Sequence, residues 1–112
     1  TWLNGKILLK EITDVPFTGE IDDGLILGSF KNGEREGSWV QYHWSGQLET
    51  RGNYTNGEKE GSWQFFLSNG KLNIKGNYKN DEEDGYWQHF HVDGTVDKTL
   101  TGTYKNGVKV SD

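Results

Sequence analysis

At 112 residues, with a formal net charge of −5 and no cysteine, the chain is sized for one domain and excludes disulfides, thiolate metal sites and thiol catalysis. Hydrophobic residues make up only 31% of it, while Trp, Tyr and Phe number five each, so the apolar mass is carried by rings that each bury about 150–250 Å². Sixteen glycines against one proline suit many tight turns and few long helices, and no apolar run approaches the ~18 residues of a membrane span.

Residues 1–27 read as a degenerate copy of the unit that repeats from Gly28 onward, capping the N-terminal end. Asn4-Gly5 is a turn signal, Trp2 and Ile7-Leu8-Leu9 are strand candidates, and Phe17-Thr18-Gly19 leads through Ile21 to a turn at Asp23-Gly24. The chain begins at Thr1 without an initiator Met, as a processed product, a trimmed piece or a fragment would; a removed signal peptide fits equally.

From Gly28 the sequence repeats. Residues 28–51 and 52–75 are two copies of equal length, residues 76–101 are a third copy two residues longer, and 102–112 begin a fourth. Each copy opens with Gly-x-aromatic-x-Asn: Gly28, Phe30 and Asn32; Gly52, Tyr54 and Asn56; Gly76, Tyr78 and Asn80; Gly102, Tyr104 and Asn106. Asn-Gly at 32–33, 56–57 and 106–107 is the strongest short hairpin signal, because a type I′ turn needs positive φ at both central positions; Asn80-Asp81 is a weaker form of it. A second strand then opens at Gly37-Ser38-Trp39, Gly61-Ser62-Trp63 and Gly85-Tyr86-Trp87, and a further turn comes at Gly46, Gly70 and Gly94.

The spacing from each of those turn glycines to the next repeat glycine changes only in even steps, which preserves the facing of a strand. That parity puts Leu48, Thr50 and Tyr54, then Leu72, Ile74 and Tyr78, and then Val96, Lys98, Leu100 and Tyr104 on one face, with Arg51, Lys75, Lys79 and Lys105 on the other. Trp39 and Tyr42, like Trp63 and Phe66 or Trp87 and Phe90, are three apart, so either a bulge realigns them or both faces carry rings. The predicted fold is all-β: an elongated antiparallel meander of stacked hairpins, a single repeat domain of about 9–10 strands and about 45 Å long at ~4.8 Å per strand.

The pattern Gly-x-Tyr-x-Asn-Gly-x-x-x-Gly-x-Trp-x-x-aromatic resembles the variant MORN repeats of bacteria, the type found in the YwqK family of antitoxins, over roughly residues 17–112. Trp39, Trp63, Trp87, Tyr54, Tyr78 and Tyr104 carry the resemblance, which implies that they are structural and that the hairpin stack serves protein contact. Some members of the family are linked to toxin neutralisation, and others are exported or anchored in the cell envelope. Asp81 in place of Gly and the longer 94–102 segment depart from the pattern.

The polar feature with most content is the turn edge. Glu34-Arg35-Glu36, Glu58-Lys59-Glu60 and Asp81-Glu82-Glu83-Asp84 occupy equivalent bends, eight acids against two bases, on one edge at steps of about 10 Å. Three uses fit this ridge: docking of a basic protein through Glu34, Glu36, Glu58, Glu60, Glu82, Glu83 and Asp84, binding of divalent cations, or simple solubilisation of the edge. Tyr42, Trp44, Phe65 and Phe66 are candidates for an exposed aromatic patch, since a single-layer sheet cannot bury all its rings.

The net charge and the scattered bases argue against nucleic acid and against anionic membranes as partners. His43, His89 and His91 do not combine into a metal-ligand set, no nucleophile with a base and an orienter can be picked out, and nothing calls for a cofactor. The expectation is a non-enzymatic protein-binding or scaffold module, antitoxin-like in neutralising a basic partner. The alternative is a structural subunit that self-associates into a filament or an envelope assembly.

Overall fold

The computed structural model describes Trp2–Leu3, Lys6–Ile7, and residues 18–22 and 24–112. Asn4, Gly5, Leu8, Leu9, Phe17 and Asp23 lie outside the described residues, and with them the first and last turns read into the N-terminal copy. Strands β1 (Trp2–Leu3) and β2 (Lys6–Ile7) pair as a separate two-stranded ribbon. Nine strands form the main sheet: β3 (Gly19–Asp22), β4 (Ile26–Lys31), β5 (Glu34–Tyr42), β6 (Leu48–Thr55), β7 (Glu58–Phe66), β8 (Leu72–Lys79), β9 (Glu82–His89), β10 (Gly102–Lys105) and β11 (Val108–Ser111).

Each strand pairs antiparallel with the next in sequence, from β3 at one end to β11 at the other, so the sheet is an open meander with its hairpins in chain order. It extends 44 Å, in keeping with its strand count, and is only 17 Å thick. Asn32-Gly33, Asn56-Gly57 and Asn106-Gly107 have positive φ at both positions, the type I′ signature, which matches the right-handed strand twist. Asn80-Asp81 adopts the same turn at φ 51° and 71° without a glycine. Asp81 offsets part of that strain by accepting the Lys59 N–H through Oδ1 at 3.1 Å.

One kind of bulge breaks the register in all three copies, and a second kind in the first two. In the hairpin β6–β7, Arg51 pairs with Gln64 and Asn53 with Glu60, so Gly52 alone faces Gly61, Ser62 and Trp63. Gly28 in β4–β5 and Gly76 in β8–β9 are placed the same way. Gly37, Gly61 and Gly85 take φ of +77° to +84° at these bulges, a conformation that glycine adopts without a Cβ penalty. The Gly-x-Trp motif is therefore a bulge and not the plain start of a strand.

A one-residue bulge at Glu49, and another at Asn73, breaks the parity expected for the leucines. Leu48 is the register partner of Tyr42, and Leu72 of Phe66, whereas Thr50 and Ile74 partner Gln41 and Phe65. Register partners project to one face, so Leu48 and Leu72 turn away from Thr50 and Ile74. Val96, Lys98 and Leu100 do not continue a strand either. Phe90 and Val96 make an isolated bridge, and the two extra residues are taken up in a turn where Asp97 Oδ1 accepts the N–H groups of Thr99 and Leu100.

Candidate functional site

One face of the sheet carries a continuous run of rings. Trp63 swings back across its bulge to lie on Gly52 and donates its Nε1–H to the Asn53 carbonyl at 3.0 Å. Trp39 covers Gly28 and donates to Ser29, and Trp87 covers Gly76 and donates to Asn77, at 3.1 and 3.0 Å. With their polar ends satisfied and their rings against main chain, the three indoles are 9%, 3% and 2% exposed, although the sheet is a single layer.

Between the indoles stand the repeat tyrosines. Centroid separations along Phe30, Trp39, Tyr54, Trp63, Tyr78, Trp87 and Tyr104 are 5.3, 5.7, 5.1, 6.0, 4.9 and 6.5 Å, all edge-to-face. Such pairs are worth about 0.5–1.5 kcal/mol each beyond burial, so the copies are tied through this row as well as by the ladder. Trp39, Trp63, Trp87, Tyr54, Tyr78 and Tyr104 all take part in these contacts.

The bases of the first two bends fold onto this face. Arg35 Cζ lies 5.3 Å from the Trp39 centroid and 5.4 Å from that of Tyr54; Lys59 Nζ lies 5.7 Å from Trp63 and 5.1 Å from Tyr78. A groove of about 270 Å³ opens between the first and second copies, with Arg35, Lys59, Trp39, Trp63, Thr50 and Phe65 among its walls. Burial pushes the Tyr78 hydroxyl up to about 12, helped by the carboxylates of Glu83 and Asp81 and by Tyr54. Burial raises Tyr54 as well, opposed by the Arg35 cation and assisted by Asp81. The sequence reading treats Arg35 and Lys59 as part of a charged bend; the signal it passes over is that a base stands four residues before Trp39 and again before Trp63, with Glu83 at that position before Trp87.

The acidic bends do share one edge, because Glu34, Glu58 and Glu82 each open the second strand of successive hairpins. The carboxylates differ in what they do. Glu36 Oε1 accepts the Asn56 N–H at 3.0 Å, and Glu60 Oε1 accepts the Asn80 N–H at 3.1 Å, so each holds the next copy's turn. The Gly57, Asp81 and Gly107 N–H groups donate in turn to the carbonyls of Arg35, Lys59 and Glu83 at 3.0 Å. Glu34, Glu58 and Glu82 are exposed and register opposite Lys31, Thr55 and Lys79. Acidity is therefore uneven along the edge and greatest at the third bend, where Asp81, Glu82, Glu83 and Asp84 are flanked by Lys79 and Lys105. Among the described residues no three acids or histidines gather closely enough to hold a metal ion.

The four residues expected to form one aromatic patch separate. Phe65 stacks on Trp63 at 6.1 Å and 23° on the ring-bearing face. Tyr42 and Phe66 come one residue after the positions facing that side, so they point to the reverse with Leu48 and Leu72. Trp44 sits in the turn between β5 and β6 and is 89% exposed. Strand alternation thus answers the three-residue spacing with rings on both faces. Arg51 lies on the reverse face and donates to its register partner Gln64.

His43 bridges the first two copies, with Nδ1 3.2 Å from Glu49 and Nε2 3.3 Å from the Phe66 carbonyl. His89 lies beside Trp87, where burial lowers its pKa against the opposing pull of Asp97 and Glu83. No protein-family model matches this chain, and no curated protein matches it.

Proposed function

We propose that the chain is a non-enzymatic protein-binding module of the variant MORN type, engaging a basic partner through the acidic edge. The observation that carries this reading is the alignment of exposed Glu34, Glu58 and Glu82 on one edge at two-strand steps of about 10 Å, a spacing that an extended basic segment can track. Glu36 and Glu60 serve the turns of the neighbouring copies, so the docking contribution falls to Glu34, Glu58, Glu82 and the third bend. Neutralising a basic toxin is one form that such binding takes.

The test is a titration with a lysine-rich peptide at low salt and at about 0.15 M, using the intact chain and the variant Glu34→Lys/Glu58→Lys/Glu82→Lys. Binding that weakens with salt and is lost in the variant supports the proposal. Equal binding by both forms removes it.

A structural, self-associating role is the second reading, supported by the apolar groups at the opposite edge: Trp44, Val92, Val96 and Leu100 are 89%, 69%, 43% and 44% exposed. Light scattering on the chain and on Trp44→Ser distinguishes it: concentration-dependent growth that the substitution abolishes supports assembly, and a strict monomer removes it.

A further inference from the structure

The groove between the first and second copies follows from departures within the repeat itself. On the ring-bearing face the register runs from Gln41 to Thr50, Phe65, Ile74 and His89, so these side chains form one row beside the indoles. Gln41 and Thr50 hold the positions that Phe65 and Ile74 hold one repeat later. A ring and a branched alkyl group thus stand in the second interval. In the first, Thr50 is short and Gln41 is exposed, and about 270 Å³ stays open between Trp39 and Trp63. The charges differ as well. Arg35 and Lys59 border the first interval, and among the described residues no carboxylate lines it; the corresponding pair one repeat later is Lys59 and Glu83.

Both cations stand between acids in sequence, yet neither side chain has a carboxylate in ion-pair contact among the described residues. Glu36 and Glu60 are turned to the N–H groups of Asn56 and Asn80. Glu34 and Glu58 register with Lys31 and Thr55, which alternation puts on the reverse face. Lying against a ring neither neutralises a guanidinium nor consumes its N–H donors, so Arg35, over Trp39 and Tyr54, keeps them for an acceptor at its edge. Along the same groove the half-buried Phe65 ring offers an apolar wall.

We propose that this groove binds a small aromatic carboxylate, its carboxyl group on the Arg35 guanidinium and its ring against Phe65 and Thr50. The unneutralised guanidinium calls for an anion, and its paired N–H groups match the two oxygens of a carboxylate. The apolar walls call for an uncharged body, which a compact polyanion lacks. The volume is at the small end of ligand sites and limits the guest to about ten to fifteen non-hydrogen atoms. Lys59 strengthens the positive field from the second border while it lies over Trp63 and Tyr78. The site uses none of the carboxylates of the acidic edge, so it stands independently of the protein-binding reading.

The experiment is a titration of the intact chain with cinnamate, followed by NMR at the backbone amides of Gln41, Thr50 and Phe65, with the Trp87 indole N–H as internal reference. Saturable shifts at the three amides and none at Trp87 are expected, with a dissociation constant on the order of 1 mM for a guest of this size. Cinnamamide, the neutral analogue of the same shape, should bind about three- to tenfold more weakly. Arg35→Gln should weaken cinnamate by a similar factor and leave cinnamamide unchanged, a pattern that a general loss of structure does not produce. The double substitution Gln41→Phe/Thr50→Ile, which installs the residues of the second interval, should abolish the shifts with both compounds. Equal affinity for cinnamate and cinnamamide, undiminished binding by Gln41→Phe/Thr50→Ile, or no saturable shift up to about 20 mM would overturn the proposal.

Discussion

Trp63 lies so close over Gly52 that a Cβ on residue 52 would stand 2.0 Å from the indole Cδ2. The same relation holds for Trp39 over Gly28 and Trp87 over Gly76. A hydrogen-only residue beneath each ring is what lets one sheet face bury large rings without a second layer. Gly52→Ala must displace a rigid ring that is only 3% exposed and break its bond to the Asn53 carbonyl. The expected loss is about 2–3 kcal/mol, read as a lowered denaturation midpoint at unchanged slope.

Lys59 bridges two rings of successive copies, so its charge and its stem both contribute. Lys59→Gln keeps much of the stem and removes the charge, and should cost about 0.5–1 kcal/mol. Arg35→Gln should behave alike, and a double substitution should depart from additivity, because Lys59 registers opposite Tyr54, the ring beneath Arg35, and Tyr54 packs on Trp63. Urea titration of the three variants gives the comparison.

Glu60 accepts a main-chain N–H from the turn that contains Asn80 and Asp81, both at positive φ. Glu60→Ala leaves that N–H without its acceptor and should cost about 1 kcal/mol, whereas Glu60→Gln retains a carbonyl acceptor and should cost less. The local effect is faster amide exchange at Asn80, and its absence would show that the bond contributes nothing.

Tyr78 titrates at about 12 in the folded chain against an ordinary 10.0. The folded state therefore favours the neutral phenol, and this contribution is fully present below pH 10. It is lost as pH rises from about 10 to 12, with stability falling over that window because the unfolded chain releases the proton first. Absorbance at alkaline pH should show Tyr54 and Tyr78 titrating later than ordinary tyrosines, and Tyr78→Phe should remove the step near 12. The substitution should also flatten the decline of stability above pH 10.

The hairpin order, the Asn-Gly turns and the length of the sheet were legible because each depends on local chemistry repeated at a fixed period. Asn32-Gly33 and Asn56-Gly57 specify their turns without reference to anything distant. The bulges were not legible, since parity counting assumes an unbroken ladder; Glu49 and Asn73 interrupt it, and Leu48 and Leu72 turn over as a result. The recurring Gly-x-Trp was the available clue, because a glycine kept two residues before a Trp in the middle of a strand has no other local purpose. The acidic bends were placed on the right edge, but their division of labour depends on contacts between copies: Glu36 and Glu60 are spent on turns twenty residues away in sequence, and Arg35 and Lys59 on rings.

The most direct measurement of the central claim is a pair of distances along the bends. The chain has no cysteine, so spin labels can be placed at Glu34→Cys/Glu58→Cys and at Glu34→Cys/Glu82→Cys without background. Hairpins stacked in order predict about 10 Å for the first pair and about 20 Å for the second, one two-strand step and then two. A second distance equal to or shorter than the first would contradict the arrangement on which the acidic edge depends.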